Sequence, residues 1–283
     1  MKKTMRRYSP IFILPTLAAF VIGFIIPFAQ GLYLSFCKFT TVDNASWVGF
    51  ANYMAILKDT SFLHSFKFTV LFAVVSILLI NIIAFGLATL LTRGLKGTNI
   101  FRTVFFMPNL IGGIVLGYIW QILINGVLSI VAEPLLALNS SAGYWGLIIL
   151  MCWQQIGYMM IIYIAGLQNV PGDVLEAAAI DGANKWNLLW RVKLPMIMSS
   201  ITICVFLTLT NSFKLFDQNL ALTGGDPNHM TEMLALNIYQ TFYARSGALF
   251  KGYGQAKAVI FCVLVIVISL GQLIATRSKE VQQ

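Results

Sequence analysis

Six long apolar stretches, each about the length of a membrane-spanning helix, dominate the sequence. A bilayer core about 30 Å thick requires about 20 helical residues, and backbone groups inside it must be hydrogen-bonded within the protein. Because 58% of the residues are apolar and only 10% are charged, no segment is typical of a soluble domain or a disordered linker. The sequence predicts one all-α integral membrane domain over residues 1–283. Its six transmembrane helices are expected at about 11–36, 68–91, 104–124, 145–167, 197–222 and 256–275.

The first apolar stretch follows a basic N-terminus, as the apolar region of a cleavable signal peptide would. It extends to about Phe36, well beyond the length of such a region, and shows no small-x-small cleavage site. We therefore expect it to be the first span.

The net charge of +9 comes from short clusters of Lys and Arg between the apolar stretches. This pattern differs from the basic stripe of a nucleic-acid-binding protein. Twelve of the nineteen basic residues lie at the two termini and in the loops 93–102 and 168–195. Because positive charge is retained on the cytoplasmic side, the sequence predicts a multi-pass protein of the bacterial inner membrane with both termini in the cytoplasm.

The loop between the fourth and fifth spans has a regular local pattern. Pro171 and Asp173 are typical of a helix start, an alanine run follows, and Gly182 can end the helix. Trp186, Leu189 and Trp190 then fall on one face, opposite Lys185 and Arg191. Two short helices with a glycine elbow are expected, with Pro195 in the first turn of the fifth span. A force on this elbow would move that span.

The same loop resembles the "EAA" signature of the membrane subunits of binding-protein-dependent ABC importers. It contains Glu176-Ala177-Ala178, Gly182 after three residues, Val192 after nine more, and then Leu194-Pro195. The resemblance implies a coupling helix that docks on a separate ATPase through Glu176, Ala177, Ala178 and Gly182, with Leu194 and Pro195 anchoring the return into the membrane. From composition alone, an amphipathic hairpin lying on the lipid surface remains an alternative.

Three further segments are similar to the carbohydrate branch of that family, the maltose, glycerol-phosphate and multiple-sugar type. They lie at 48–62, 93–108 and 216–239. Asp226, where a third glycine is common, and Lys257, where small residues are usual, depart from the pattern. The resemblance implies that a sugar-binding protein faces the outer loop formed by Thr223, Gly224, Gly225, Asp226 and Pro227. It also implies a second homologous permease subunit and two ATPase subunits that bind ATP and Mg.

Catalysis by this chain is not expected. A phosphate-binding loop needs Gly-x4-Gly-Lys, but the nearest candidate, 247–252, continues with Tyr253, and clustered metal ligands are absent from the sequence. An ion-coupled secondary transporter would carry an ionisable group deep in a span. The exceptions here are Lys214 and Asp217, which either neutralise each other on one helical face or form a polar gate.

A sugar pathway requires amide, hydroxyl and aromatic groups. Several such residues share helical faces in the inner spans, and they are either path-lining groups or partners in hydrogen bonds between helices. With the two charged residues above, the candidates are Tyr118, Gln121, Gln154, Tyr158, Asn211, Lys214 and Asp217. Gly113 and Gly117 of the third span are expected to permit close helix packing.

Overall fold

A computed structural model describes residues 13–94, 96–244 and 248–277. The predicted all-α membrane fold is confirmed. Its helices are α1 (Ile13–Leu34), α2 (Ala51–Ile56), α3 (Thr60–Leu91), α4 (Thr98–Phe106), α5 (Gly113–Ile130), α6 (Ser140–Gln168), α7 (Gly172–Ile180), α8 (Lys185–Met196), α9 (Met198–Phe213), α10 (Asp217–Leu222), α11 (Leu234–Tyr239) and α12 (Ala248–Arg277). A short hairpin, β1 (Cys37–Lys38) and β2 (Ser46–Trp47), joins α1 to α2.

Five helices in the described part are long and apolar enough to cross a membrane, namely α1, α3, α5, α6 and α12. A sixth span is counted if α8 and α9 are taken as one segment bent by 72°. The helices of the second, fourth and sixth spans, α3, α6 and α12, are longer than predicted. Each begins before the apolar stretch from which the span was predicted.

Two of the predicted spans were expected as continuous helices, and this is wrong, because each is interrupted. The third was expected at 104–124, but a 3₁₀ turn at Met107–Leu110 contains Pro108 and ends α4, and α5 begins at Gly113. Proline lacks the N–H that a continuous helix needs, and Ile111 is extended. The fifth was expected as one helix over 197–222, whereas the structure breaks it at residues 214–216 into α9 and α10.

The chain forms two compact units. The first contains the described residues of Met1–Asp59 and Ile238–Val263. Within it, the buried Asn52 amide donates hydrogen bonds to the backbone oxygens of Ser35 at 2.8 Å and Cys37 at 3.1 Å. A Cβ on Gly252 of α12 would overlap the Cys37 carbonyl, so glycine is required where the hairpin meets this helix.

Lys257 forms an ion pair inside the first unit. Its side chain is 1% exposed, and its Nζ lies 2.8 Å from Asp59 Oδ2 and donates to Thr241 Oγ1 at 3.1 Å. The Tyr253 hydroxyl donates to the same Asp59 oxygen at 2.7 Å. The Lys257 Nζ also lies 4.8 Å from the centroid of the Tyr253 ring. An intramembrane lysine is thus tolerated because a carboxylate, the Thr241 hydroxyl and an aromatic ring surround its charge.

We predict that Lys257→Met lowers the free energy of unfolding by about 3–5 kcal/mol, because Asp59 is left as an uncompensated buried charge. Adding Asp59→Asn removes that charge while keeping the oxygen that accepts from Tyr253. The double variant should therefore recover most of the loss in a thermal unfolding measurement in detergent. Equal losses in the single and double variants would show that the charge pair is not the source.

The second unit contains the described residues of Thr60–Asn237 and Leu264–Gln283, and α6 is its central helix. A chain of polar contacts links three of its helices. The Tyr163 hydroxyl of α6 donates to Asn81 Oδ1 of α3 at 2.7 Å, and Asn81 Nδ2 donates to Thr208 Oγ1 of α9 at 3.3 Å. Such contacts stabilise helix association where the hydrophobic effect between helices is weak.

Gly113 and Gly117 form the contact surface of α5 for α10, as predicted. A Cβ built at Gly117 would lie 2.6 Å from Ala221 Cβ, and one built at Gly113 would lie 2.7 Å from Asp217 Cβ. Asp217 and Ala221 are four residues apart, as Gly113 and Gly117 are. One ridge of α10 therefore packs into one groove of α5.

Gly117→Val should destabilise this contact by about 1–3 kcal/mol, since the added methyl groups have no space beside Ala221. Gly126→Val is the matched control on the same helix, because no heavy atom of the described chain lies within 4 Å of a Cβ there. Unfolding temperatures of the two purified variants test the difference. Equal shifts would contradict close packing at Gly117.

Candidate functional site

Residues 171–197 contain the predicted coupling helix, and we call them the coupling segment; they begin as the sequence predicts. Pro171 is the N-cap of α7, with φ −61° and ψ 136°, and Asp173 lies in the first turn. The helix ends in a Schellman motif, in which Gly182 N–H donates to Ala179 O at 3.1 Å and Ala183 N–H donates to Ala178 O at 3.0 Å. Gly182 has φ +80°, a conformation that favours glycine. The glycine elbow is therefore confirmed.

The signature residues of α7 are accessible. Glu176 and Ala177 are exposed and Ala178 is half-buried. Gly182 is exposed too, and no heavy atom of the described chain lies within 4 Å of a Cβ built on it. Glycine is favoured at position 182 by the backbone conformation and not by crowding from other residues of the described chain. The segment thus presents a free helical face ending in a fixed turn.

The return toward the membrane differs from the prediction. Asn184 Oδ1 caps α8 by accepting from Asn187 N–H at 2.8 Å, and residues Leu188–Lys193 are π-helical. Pro195 lies in α8, before the 72° bend at Ile197, and not in the first turn of α9. The helix ends there because Ile197 leaves the helical conformation, with φ −97° and ψ 16°.

The bend is held against α6. Ile197 is buried, and Leu194 packs on the hydrophobic core of the second unit. A Cβ on Gly166 of α6 would lie 2.9 Å from Ser200 Cβ. Movement of the coupling segment would therefore act on α6 as well as α9. Ile197 and Gly166 were not predicted as a contact, because a glycine at the end of an apolar helix does not identify its neighbour.

The tryptophan face also differs from the prediction. The rings of Trp186 and Trp190 lie 5.5 Å apart and are largely exposed. Leu189, however, lines a cavity together with Lys185 instead of lying opposite it. The π-helical residues 188–193 change the angular spacing of side chains on which the prediction depended.

A second group of polar residues surrounds the break between α9 and α10. Asn211 Nδ2 donates to Gln155 Oε1 at 3.3 Å, and Gln218 Nε2 donates to Gln154 Oε1 at 2.8 Å. Gln154 also donates to Ile111 O at 3.3 Å. Gln155, Asn211 and Gln218 line a cavity of about 200 Å³, which we call the central cavity, together with Met151, Lys214 and Leu215.

Two of the predicted path residues, Asn211 and Lys214, thus line this cavity, and a third, Gln154, is hydrogen-bonded to the lining residue Gln218. Gln155 and Gln218 were missed. The prediction paired residues three or four apart on one helix, whereas these amides meet across helices. Glutamine recurs near the centre of the fourth span and directly after Asp217. This recurrence is the sequence signal that could have indicated Gln155 and Gln218.

The other candidates lie elsewhere. Tyr118 is exposed on α5, and Tyr158 lies beside Phe106, with ring centroids 6.3 Å apart. Gln121 donates to Leu222 O at 3.1 Å, which is the interhelical bond considered as the alternative role. None of these three side chains lines the central cavity.

The prediction that Lys214 and Asp217 share one helical face is wrong. The helix ends at Phe213 and resumes at Asp217, so helical spacing does not apply between them. In the described residues their side chains form no ion pair with each other, and Asp217 packs at Gly113 instead.

The loop that the sequence predicts on the outer side, residues 223–227, is organised by the buried Asn219. Its Nδ2 donates to Thr223 Oγ1 at 2.9 Å and Thr231 O at 2.8 Å, and its Oδ1 accepts from Met233 N–H at 2.9 Å. Thr223 and Gly225 are consequently buried, whereas Asp226 is exposed. The exposed tip continues through Asn228, His229 and Met230.

Comparison with known proteins gives consistent matches. Residues 96–280 match the family described as "Binding-protein-dependent transport system inner membrane component". The "Probable starch degradation products transport system permease protein AmyD" of Thermoanaerobacterium thermosulfurigenes is 42% identical over 279 residues, covering 96% of this chain and 94% of that protein. The "sn-glycerol-3-phosphate transport system permease protein UgpA" of Brucella abortus is 31% identical, covering 93% and 92%.

One solved structure shares the fold along nearly the whole chain. It is a chain of a bacterial ABC transporter involved in the import of the acidic polysaccharide alginate, with a TM-score of 0.82. The match covers 98% of both chains at 20% sequence identity.

Proposed function

Because this chain belongs to the family of binding-protein-dependent transport system inner membrane components, we propose that it is the permease subunit of an ATP-driven importer of a mono- or oligosaccharide. It is a multi-pass membrane protein and a transport subunit rather than an enzyme. The names of its relatives, which concern starch degradation products and sn-glycerol-3-phosphate, support a carbohydrate or closely related polyol as the substrate.

The observation that carries the proposal is the geometry of the coupling segment. Its free face, with Glu176, Ala177 and Ala178, ends in the fixed turn at Gly182, and α8 then leads through a buried bend into α9. This face docks on a separate ATPase subunit in the cytoplasm, which binds ATP and Mg. Leu194 and Pro195 hold the return, and closure of the ATPases displaces the bend.

The central cavity is the proposed part of the sugar path. Neutral sugars are bound through hydroxyl groups, and amides supply both donors and acceptors for them. Gln154, Gln155 and Asn211 place such groups at a break in a spanning helix, where transporters commonly place their substrate sites. The exposed Lys214 lies on the rim, as a gate or a substrate contact.

The assembly contains further subunits. Import systems of this family use a binding protein, and we propose that it faces the outer loop through Asp226 and Pro227, with Thr223, Gly224 and Gly225 shaping that loop. A second homologous permease completes the pathway, and two ATPase subunits dock beneath the pair. Both termini of this chain then lie in the cytoplasm.

Gly182→Val should abolish coupled sugar uptake, because a β-branched residue is strained by about 1–3 kcal/mol at φ +80° and would deform the elbow. Gly182→Asn should retain most uptake, since asparagine tolerates this conformation. Uptake into proteoliposomes, ATP hydrolysis and recovery of the ATPase with the permease are measured together.

Gly172→Val is the matched control at the other end of α7. It has equal open space around a Cβ but lacks a positive φ. Normal uptake by Gly182→Val, with the ATPase still associated, would count against the coupling role.

Gln155→Met should raise the KM for sugar roughly 10-fold, because one hydrogen-bonding group at the cavity is lost. Gln121→Met removes an amide of the same size that bonds the Leu222 carbonyl and does not line the cavity, so its KM should change little. Equal effects of the two substitutions on KM and sugar preference would remove the cavity from the transport path.

A further inference from the structure

A separate cavity of about 360 Å³ lies between the end of α3 and the helix α8 of the coupling segment. It belongs wholly to the second unit. Its lining residues are Thr89, Thr92, Arg93, Lys185, Leu188, Leu189 and Lys193. The volume falls within the range of small-molecule sites, and the proposed coupling and sugar functions assign nothing to it.

Three of the lining residues, Arg93, Lys185 and Lys193, are cations, and none of the described carboxylates lines the cavity. Within the described ranges, the observed ion pairs join Lys257 to Asp59 and His229 to Glu232, so the three cations have no acidic partner there. Like charges that converge on one cavity repel each other unless an anion lies between them. The cavity is therefore an electrostatic site for an anionic group supplied from outside the chain.

The remaining lining groups define the shape of that ligand. Leu188 and Leu189 provide an apolar wall. The hydroxyls of Thr89 and Thr92 donate to the Phe85 and Ala88 carbonyls at 2.9 and 3.0 Å, so the cations are the groups available to bind an anion. A ligand that fits has a charged part and an adjoining apolar part.

The level of the cavity indicates where such a ligand comes from. The apolar helix α3 ends at Leu91, beside the cavity, and Trp186 and Trp190 are largely exposed on the same helix as two of the lining cations. Exposed tryptophans next to basic residues are typical of the headgroup region of a bilayer. Basic cavities between helices on the cytoplasmic side are suited to anionic lipid headgroups.

We propose that this cavity binds the phosphate of an anionic phospholipid of the cytoplasmic leaflet, with the glycerol and upper acyl carbons against Leu188 and Leu189. The placement in that leaflet rests on the proposed function. Free phosphate has the same charged group but lacks the apolar part. A bound phospholipid would bridge the end of the second span and the coupling segment, and would thus help to fix the position of α8.

The test uses the full chain in its assembled complex, reconstituted in phosphatidylcholine nanodiscs with a minor fraction of phosphatidylglycerol. Retained phosphatidylglycerol is counted by native mass spectrometry after mild detergent release. The triple variant Arg93→Gln, Lys185→Gln, Lys193→Gln should bind one phosphatidylglycerol on the order of 100-fold more weakly, because each basic residue near the surface contributes to anionic-lipid binding.

The control triple variant is Lys38→Gln, Lys58→Gln, Lys67→Gln, which removes the same charge from exposed positions outside the cavity. It should retain the lipid. Unfolding temperatures provide a second measurement: phosphatidylglycerol should raise that of the unsubstituted and control complexes but not that of the cavity variant.

Radiolabelled inorganic phosphate in pure phosphatidylcholine nanodiscs distinguishes the two sources of the anion. No saturable binding supports the phospholipid, whereas saturable binding that displaces phosphatidylglycerol supports a free-phosphate site in the same cavity. Equal lipid retention by both triple variants overturns the proposal. Loss of the ATPase with unchanged lipid retention also overturns it and assigns the cations to an acidic ATPase surface. Because the lipid is counted without ATP or sugar, failure here leaves the coupling proposal intact.

Discussion

The structure depends on one constraint, which is that backbone polar groups in hydrocarbon must be satisfied by the protein itself. The fifth span is interrupted at Ile197 and again at residues 214–216, so it is not a simple membrane helix. Each interruption lies where neighbouring groups can compensate for it. Gly166 allows α6 to approach the first. At the second, Gly113 and Gly117 admit α10, and the backbone N–H groups of Lys214 and Leu215 donate to Thr210 O at 3.1 Å and Ser212 O at 3.4 Å. The breaks are therefore built into the packing of the bundle.

These two interruptions give α9 its mechanical position. The helix has 16 residues, which corresponds to about 24 Å, and it is unbroken between them. One end adjoins the coupling segment, and Asn211, near the other end, lines the central cavity. A displacement of α8 would consequently reach the cavity through a single rigid helix. The buried Ile197 at the bend makes this transfer efficient, because a well-packed joint moves with its neighbours instead of deforming.

Local signals allowed part of this architecture to be predicted from the sequence. Pro171, Asp173 and Gly182 identify the start and end of α7, because caps and turns depend on nearby residues. The bend at Ile197 and the break after Phe213 were missed, since both depend on contacts with other helices. Gln155 and Gln218 were missed for a related reason, as their partners lie across the bundle. Lys257 was recognised as unusual, but its pairing with Asp59 depends on tertiary structure.

Two groups of charged residues in the described chain differ in how they are compensated. Lys257 is buried and has its carboxylate within the same unit, so it needs no external ligand. Arg93, Lys185 and Lys193 surround a cavity that no carboxylate of the described chain lines. Arg93 and Lys185 are exposed and Lys193 is half-buried, so each keeps part of its hydration. Because the three cations line one cavity beside two leucines, an amphipathic anion such as a phospholipid is the compensating partner that we propose.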